Sequence, residues 1–409
     1  APVVKHNYLV KSSNSLPRIA KEAYHIATTG RPGPVLVDIT KDAQQMTAEF
    51  DWAAAEPKLP GYRPNYQAPA SEFAKAAELI NSAKRPLILA GQGIIKSGAT
   101  ADVLALAKAA NIPITTTLLG IGAIPASSEF NLGMMGMHGE AWVNQAIQQA
   151  DLLIALGMRF DDRVTGNLKT YALNAKKIHV EIDPSEVNKN VPVDVALIGD
   201  LKEVLGELKP QIKKADHPEW WATINVNRGD SAVRDIKNLP DSGHLYAAHV
   251  INDIWRLTQK RDTIVVTDVG QHQMWEAQYF HHDKPRSLIT SGGLGTMGFA
   301  LPAAIGAKFA CPDKDVWVVV GDGGFQMTSC ELATAEQEGI KVNVAIINNS
   351  FLGMVRQWQE FFYDKRYAAT PMTGPNFVKL AEAYRLTGLL CDKRSNVKAT
   401  VEKTLSTKG

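Results

Sequence analysis

The sequence predicts an α/β protein built from doubly wound parallel sheets in successive domains. Short, continuous apolar runs recur along the chain, for example in PLILAG, DLLIALG and WVVV, and segments with helical periodicity lie between them. Such strands are typical of parallel sheets, because helices cover both faces of these sheets. The chain has 409 residues. Since domains usually contain roughly 100 to 200 residues, we expect roughly two to four domains.

The first predicted elements are a helix over 16–28 and a buried strand over 35–39 within GRPGPVLVDITKD. Together they look like the end of an α/β domain, to which we assign residues 1–50. We expect the beginning of that domain to lie upstream of the first residue.

Residues 51–230 are expected to form a complete second domain, and residues 231–409 most of a third. The Pro-rich segment 57–70 and the polar segment 227–243 are predicted to be the linkers between them. In the second domain, strands are predicted in PLILAG, PITTT, DLLIALG and KIHVEID. In the third, they are predicted in TIVVTDVG, DVWVVVGDGG and VNVAIINN, and we expect its last strand beyond the final residue.

Charge and cysteine content exclude several classes of protein. The 44 basic and 42 acidic residues are mixed along the chain and give a net charge of +2, so neither nucleic acid nor a membrane is an expected partner. No apolar stretch reaches transmembrane length. Cys311, Cys330 and Cys391 are far apart and lack C-x-x-C spacing, so we expect reduced cysteines rather than a zinc site or disulfides.

The GDGG motif at 321–324 follows the apolar run WVVV and is predicted to lie where a strand ends. Thr328 and Glu331 have the spacing of a capping box that would open the helix ELATAEQE, and Gly339 would end that helix. The next strand, VNVAII, leads to an Asn pair. Because strand–helix–strand units are right-handed, both corners are expected at the carboxyl edge of one sheet.

Asp322 and Asn349 are therefore expected to face one point. A carboxylate and an amide oxygen suit a Mg²⁺ ion that keeps positions open for diphosphate oxygens. The alternative is that Asp-Gly is a common turn dipeptide and the Asn pair a strand end. The strand and helix context favours the metal site.

Gly293, Gly295 and Gly298 have the G-x-G-x-x-G spacing of a dinucleotide fingerprint. Taken alone, this spacing indicates a nicotinamide-dependent dehydrogenase. However, the preceding SLIT is a weak strand, and no acidic residue ends a following strand as a ribose-binding carboxylate should. The nearest candidate, Asp322, is better explained as a metal ligand. Close backbone packing at a helix start explains these glycines better.

Several segments of the chain together carry a family resemblance. The first is GDG followed by NN, with the flanks FQMTSCELATA and FLGMVRQWQEFFY. Further segments are KHNYLV, GRPGPVLVDITKD, MGMHGEAWVN, RFDDRVTGN, HVEIDPSEVNKN and DVGQHQMW. In these segments the chain resembles the catalytic subunits of acetohydroxyacid synthases (acetolactate synthases), a family of thiamine-diphosphate enzymes.

The resemblance implies a Mg²⁺ ion held by Asp322, Asn349 and the backbone carbonyl of Phe351. Met297 matches the residue that props thiamine diphosphate in its bent form. The other implied cofactor contacts are Val269, Gly270, Gln271, His272, Gly321, Gly323, Gly324, Met327 and Met354. For the methionines, the alternative is the filling of irregular gaps in the core.

In this family the middle domain binds FAD, which has no net redox role. The matching residues are Arg31, Gly91, Gly93, Met137, His138, Arg159, Val164 and Asp200. The residues by themselves support only a doubly wound domain with glycine-rich corners, so a purely structural domain remains an alternative.

Arg163, Trp358 and Lys41 match residues of the family's substrate channel. The planar fork of an arginine suits the carboxylate of a second 2-keto acid, and the tryptophan favours 2-ketobutyrate. The implied reaction is decarboxylation of pyruvate and condensation with pyruvate or 2-ketobutyrate, which yields 2-acetolactate or 2-aceto-2-hydroxybutyrate in branched-chain amino-acid synthesis. As alternatives, RFDDR could be a solvated charge cluster and Trp358 a core residue.

Two other classes of protein remain open: a different thiamine-diphosphate enzyme, such as a pyruvate oxidase or decarboxylase, and an inactive cofactor-binding fragment. The resemblance implies a homodimer or homotetramer, with a possible small regulatory subunit. It implies a cytoplasmic location in bacteria and a plastid or mitochondrion in eukaryotes. The family's catalytic glutamate is expected upstream of KHNYLV, so we expect no turnover by these 409 residues alone.

Overall fold

The computed structural model describes residues 3–53, 55–64, 66–238, 240 and 242–408. Within these ranges the strands form parallel sheets of two, six and four strands, in the order of the three expected domains. Helices flank the sheets, so the predicted α/β class is confirmed.

The amino-terminal unit is a parallel strand pair joined by a helix. β1 (His6–Val10) pairs with β2 (Val35–Ile39), and α1 (Leu16–Thr28) connects them. A short helix, α2 (Lys41–Gln45), follows. The predicted helix and second strand are confirmed, whereas β1 was missed because only Val10 of HNYLV is buried.

The central unit contains a six-stranded parallel sheet in the order β5-β4-β3-β6-β7-β8. Its strands are β3 (Pro86–Ala90), β4 (Ile114–Thr116), β5 (Asn131–Met134), β6 (Leu152–Leu156), β7 (Lys176–Glu181) and β8 (Val195–Ile198). Its helices are α3 (Ala70–Ser82), α4 (Gln92–Ser97), α5 (Thr100–Ala110), α6 (Ala141–Gln149), α7 (Asp162–Thr165), α8 (Leu201–Leu208) and α9 (Pro218–Ala232). The winding reverses between β3 and β6, which is the point where open α/β sheets bind ligands.

Both faces of this sheet are buried, as the continuous apolar strands predict. Ile88 of β3 and Ile154 of β6 pack in one core cluster, together with residues of α3, α5 and α8. Leu87, Leu89 and Leu153 from the same strands pack in the other cluster, together with residues of α6 and α9.

The carboxy-terminal unit contains a four-stranded parallel sheet in the order β10-β9-β11-β12. Its strands are β9 (Thr263–Thr267), β10 (Leu288–Thr290), β11 (Asp315–Gly321) and β12 (Asn343–Ile347). Its helices are α10 (Ala247–Thr258), α11 (Gln271–Tyr279), α12 (Ala300–Ala310), α13 (Asp322–Thr328), α14 (Leu332–Gln337), α15 (Gly353–Phe362), α16 (Phe377–Ala383) and α17 (Val397–Ser406). Here the winding reverses between β9 and β11.

Two local predictions are wrong. The capping box does not form, because the Thr328 hydroxyl donates to the carbonyl of Gly298 (2.9 Å) while Glu331 accepts from Thr334 (3.0 Å). The second linker is shorter than predicted, because α9 continues to Ala232. By contrast, Gly339 does follow the end of α14, in a left-handed conformation with φ 61°. Among the described residues, no helix is both long and apolar enough to cross a membrane.

Candidate active site

The residues predicted to contact thiamine diphosphate gather at one edge of the four-stranded sheet. Residues 269–272 follow β9, Met297 follows β10, the GDGG motif ends β11 and begins α13, and residues 349–354 follow β12. Because all four strands are parallel, these segments lie at the same, carboxyl edge of the sheet. The two corners expected to converge therefore do so.

Asp322 is a buried carboxylate at the first position of α13, with 3% of its surface exposed. Burial raises its pKa, and backbone hydrogen bonds from Gly323, from its own N–H and from Ser350 act in the opposite direction. The bond from Ser350 links the two corners directly. The raised pKa marks a negative charge whose desolvation is incompletely compensated, and a bound cation would compensate it.

The Asn pair forms a tight loop that presents Asn349 and Phe351 to a cavity. The side-chain oxygen of Asn349 accepts from the N–H of Phe351 (3.1 Å), and Ser350 between them has φ 58°. Both residues line a cavity of about 400 Å³ together with Gln271, Gly353, Arg356, Gln357 and Glu360. A ligand in this cavity would meet two of the three predicted metal ligands, Asn349 and Phe351, and the amide of Gln271.

His272 is a neutral, buried imidazole beside the GDGG corner. Burial lowers its pKa to about 4, against smaller opposing effects of Asp268. Its ring lies against the backbone, because a Cβ on Gly321 would be 3.0 Å from its Nδ1 atom. Its Nε2 atom is buried without a hydrogen-bond partner among the described residues. A ligand atom in this corner would supply the missing bond.

Asp268 is a residue of this corner that sequence reasoning missed. Its carboxylate, 1% exposed, accepts from the N–H groups of Val269 (2.9 Å), Gly298 (3.1 Å) and Ala300 (3.0 Å). The start of α12 is thus capped by the chain's own anion, in the place where a dinucleotide fingerprint would bind phosphate. This supports backbone packing over nicotinamide binding for the glycine-rich loop. A signal was present, since an acid directly follows the buried strand β9, as Asp322 follows β11.

The three predicted cofactor methionines lie around the same corner. Met297 is half-buried in the loop before α12, and Met354 is half-buried at the start of α15. Met327 is 56% exposed, which argues against a core-filling role for this residue. A Cβ on Gly298 would be 3.1 Å from the Cβ of Met327, so the loop of Met297 packs against α13.

The predicted flavin residues gather at the carboxyl edge of the six-stranded sheet in the same way. Gly91 and Gly93 follow β3, Met137 and His138 follow β5, Arg159 and Val164 follow β6, and Asp200 follows β8. Arg31 reaches this edge from the amino-terminal unit and pairs with Asp183 (3.2 Å) and Glu186 (3.0 Å), which follow β7.

Several of these residues also have structural partners. The corner after β3 packs against Gly157, because a Cβ on Gly91 would be 2.2 Å from its carbonyl oxygen and one on Gly93 2.6 Å from its Cα. The Asp200 carboxylate caps α8 by accepting from the N–H of Lys202 (2.9 Å). Backbone packing and capping therefore explain part of this pattern without a ligand.

The carboxyl edges of the two large sheets meet. Gln278 of α11 donates to the carbonyl of His138 (2.9 Å) and so joins the two units. Within the six-stranded unit, the N–H of Met137 donates to the carbonyl of Arg163 (2.8 Å). The guanidinium of Arg163 lies over the ring of Trp358, 5.8 Å from its centroid. Two substrate residues predicted from separate domains are thus brought together.

Arg163 keeps 60% of its side chain exposed and has Asp162 as an ion-pair partner at 3.2 Å. Its donor groups are therefore accessible to a ligand. Lys41 is an exposed residue at the start of α2, and the contact between Arg163 and Trp358 does not include it.

Two protein-family models match the chain. The thiamine pyrophosphate enzyme central domain matches residues 73–208, and the C-terminal TPP-binding domain of the same enzymes matches residues 268–409. The two matches coincide with the units that contain the six-stranded and four-stranded sheets.

Curated relatives cover nearly the whole chain. An acetolactate synthase of Mycobacterium bovis is 47% identical over 97% of this chain and 65% of its own length. The acetolactate synthase large subunit of Corynebacterium glutamicum is 44% identical over 98% of this chain and 65% of its length, and that of Haemophilus influenzae is 39% identical over 100% and 72%. The chain thus spans about two thirds of the length of these relatives. It belongs to the acetolactate synthase large-subunit family of thiamine-diphosphate enzymes.

Proposed function

We propose that this chain forms the flavin-binding and diphosphate-binding part of an acetolactate synthase that condenses pyruvate with pyruvate or 2-ketobutyrate. The observation that carries the proposal is the meeting of Arg163 and Trp358 beside the corner of Asp322 and Asn349. A different thiamine-diphosphate enzyme would share the metal corner but would not need this arginine and tryptophan. Product analysis of the full-length enzyme with pyruvate separates the two activities.

Asp322, Asn349 and the carbonyl of Phe351 would hold Mg²⁺. The described residues contain no group of three His, Cys, Asp or Glu side chains that could hold a metal ion. The site therefore relies on one carboxylate, two neutral oxygens and oxygens of the bound diphosphate, as is common for Mg²⁺. Thiamine diphosphate, when bound, supplies the electron sink for decarboxylation.

The side chains around this corner bind, orient and exclude water. The guanidinium of Arg163 binds the carboxylate of the second 2-keto acid, because its planar fork matches a carboxylate. The ring of Trp358 forms the wall that contacts the extra methyl group of 2-ketobutyrate. Gln271 is held by a hydrogen bond to Gln357 (3.3 Å), which fixes its amide at the cavity.

FAD is proposed for the carboxyl edge of the six-stranded sheet. The strand order places the reversal of winding between β3 and β6, where Gly91, Gly93 and Arg159 lie. The flavin would hold this edge against the four-stranded unit rather than transfer electrons. The names of relatives as large subunits support a smaller partner subunit, and we propose a homodimer or homotetramer as the catalytic assembly.

Asp322→Asn is expected to abolish Mg²⁺-dependent thiamine-diphosphate binding, because a neutral amide replaces the only charged protein ligand of the proposed site. Burial raises the pKa of Asp322, so its charge is unfavourable in the folded protein near neutral pH. The variant without ligand should therefore unfold at the same temperature as the parent or higher. Calorimetric titration and thermal unfolding measure the two effects.

The matched control is Asp313→Asn, which removes an exposed carboxylate of the same domain outside the corner. It should bind the cofactor as the parent does. Unchanged cofactor affinity in a folded Asp322→Asn protein would refute the proposed metal site.

A further inference from the structure

A second cavity, of about 410 Å³, lies in the carboxy-terminal unit between α10, the short helix Ile236–Asn238 and His281. It shares no lining residue with the cavity at Asn349. Its volume is within the range of about 300 to 1,000 Å³ that is usual for small-molecule sites. Neither the metal corner nor the substrate residues account for it.

The lining of this cavity carries a surplus of positive charge. It contains Lys237, Arg256 and Arg394 but a single carboxylate, that of Asp253, which Arg394 engages in an ion pair. Arg256 has no acidic partner among the described residues. The Nζ atom of Lys237 forms a long ion pair with Asp235 (3.9 Å) and lies over the ring of Tyr279, 5.5 Å from its centroid. Neither contact is a strong hydrogen bond, so Arg256 and the weakly engaged Lys237 remain available to a ligand.

One wall of the cavity is aromatic. The rings of Trp255 and His281 meet edge to face with centroids 4.4 Å apart. Burial lowers the pKa of His281, and the neighbouring Lys237 lowers it further. The imidazole is therefore neutral near pH 7 and offers a flat polar surface beside the cations.

We propose that this cavity binds a phosphate-bearing organic anion, with a flat group against Trp255 and His281 and its phosphate between Arg256 and Lys237. Arginine favours phosphate because its donors form paired, charge-assisted hydrogen bonds. The volume exceeds what inorganic phosphate requires, so an organic part is accommodated. The proposal does not depend on the reaction at the metal corner.

The test is calorimetric titration of the full-length protein with ADP and, separately, with inorganic phosphate. Each titration is repeated in excess thiamine diphosphate and Mg²⁺. If ADP or phosphate binds at the corner of Asp322 and Asn349, thiamine diphosphate will compete with it. The variants are Arg256→Gln and the control Arg85→Gln, which removes an exposed arginine of the central unit. Thermal unfolding shows whether each variant is folded. If Arg256→Gln is not folded, the titrations are made with Lys237→Gln instead.

We expect ADP to bind without competition from thiamine diphosphate, at least tenfold more weakly in Arg256→Gln and unchanged in Arg85→Gln. Inorganic phosphate should bind more weakly than ADP. Absence of ADP binding, full competition by thiamine diphosphate, or equal weakening by both variants would overturn the site. Equal affinity for phosphate and ADP would overturn the role of the aromatic wall.

Discussion

The carboxyl edges of the six-stranded and four-stranded sheets have the same topological feature but use it differently. Between β3 and β6, where the winding of the sheet reverses, glycine packs on glycine, and the nearest obstacle to a Cβ on Gly91 is the backbone of Gly157. At the reversal between β9 and β11, the obstacles at Gly321 and Gly324 are the side chains of His272 and Asp268. Main chain therefore occupies the space beside Gly91 in the six-stranded unit. In the four-stranded unit, ionisable side chains that can move occupy the space beside Gly321 and Gly324.

Gly91→Ala is expected to have the largest effect. Its Cβ would lie 2.2 Å from the carbonyl oxygen of Gly157 and 2.4 Å from the Cβ of Met158, so the strands themselves must separate. Overpacking of this kind costs about 3 kcal/mol in the free energy of unfolding. Chemical denaturation measures this loss, and flavin binding at the proposed site should be lost in parallel.

Gly206→Ala is the matched control for Gly91→Ala. Gly206 lies in α8 of the same unit, and a Cβ there would meet nothing within 4 Å. This change should stabilise the protein by about 0.5 to 1 kcal/mol, because alanine is the better helix former. Similar destabilisation by both substitutions would contradict the account of the corner.

His272 should make the stability of the carboxy-terminal unit depend on pH. Its pKa falls from 6.5 to about 4 on folding, so the unfolded chain binds a proton that the folded protein rejects between these values. Stability from this group is present above pH 6.5 and is lost as the pH falls toward 4, by on the order of 3 kcal/mol. Unfolding free energies measured from pH 7 to pH 4 should fall less steeply in His272→Gln.

The control is His244→Gln, which changes an exposed histidine of the same unit. It should leave the pH dependence of the parent unchanged. Equal slopes for the parent and His272→Gln would mean that His272 does not contribute to acid sensitivity.

The sequence predicted the local features of both edges better than their contacts. Apolar runs such as PLILAG and WVVV identified strands, since burial on both faces leaves a continuous pattern. β1, β5 and β8 were missed, and each of them is only partly buried. Asp268 was missed as a cap because its partners lie about thirty residues further along the chain.

The candidate site shows the same limit. Asp322 and Asn349 were predictable because one strand–helix–strand unit brings them together. The contact of Arg163 with Trp358 joins two units, and no pattern within either segment encodes it. The capping box failed for a related reason, since Gly298 of another segment offers Thr328 a better partner.

Gly324→Ala tests whether side chains around Gly324 can move to admit a Cβ, whereas the backbone around Gly91 cannot. Its Cβ would lie 2.3 Å from Oδ1 of Asp268, and that side chain can rotate only by weakening its bonds to Gly298 and Ala300. We expect a loss of about 1 to 3 kcal/mol, less than for Gly91→Ala. The control is Gly306→Ala in α12, where a Cβ would meet nothing within 4 Å. It should cause no such loss when both variants are compared by chemical denaturation. A larger loss than that of Gly91→Ala would reverse the comparison.

The smallest expected effect lies where the two edges meet. Arg163 and Trp358 are partly exposed, and a cation over an aromatic ring contributes about 0.5 to 1 kcal/mol at such sites. A double-mutant cycle of Arg163→Gln and Trp358→Leu, measured as kcat/KM for 2-ketobutyrate in the full-length enzyme, should show coupling of this size. The control cycle combines Arg163→Gln with Phe361→Leu instead of Trp358→Leu. Phe361 is a 67% exposed residue of the same helix, so the effects of these two substitutions should be additive. Additivity in the first cycle would mean that the arginine and the tryptophan act on the substrate independently, so that the contact between the edges does not order the site.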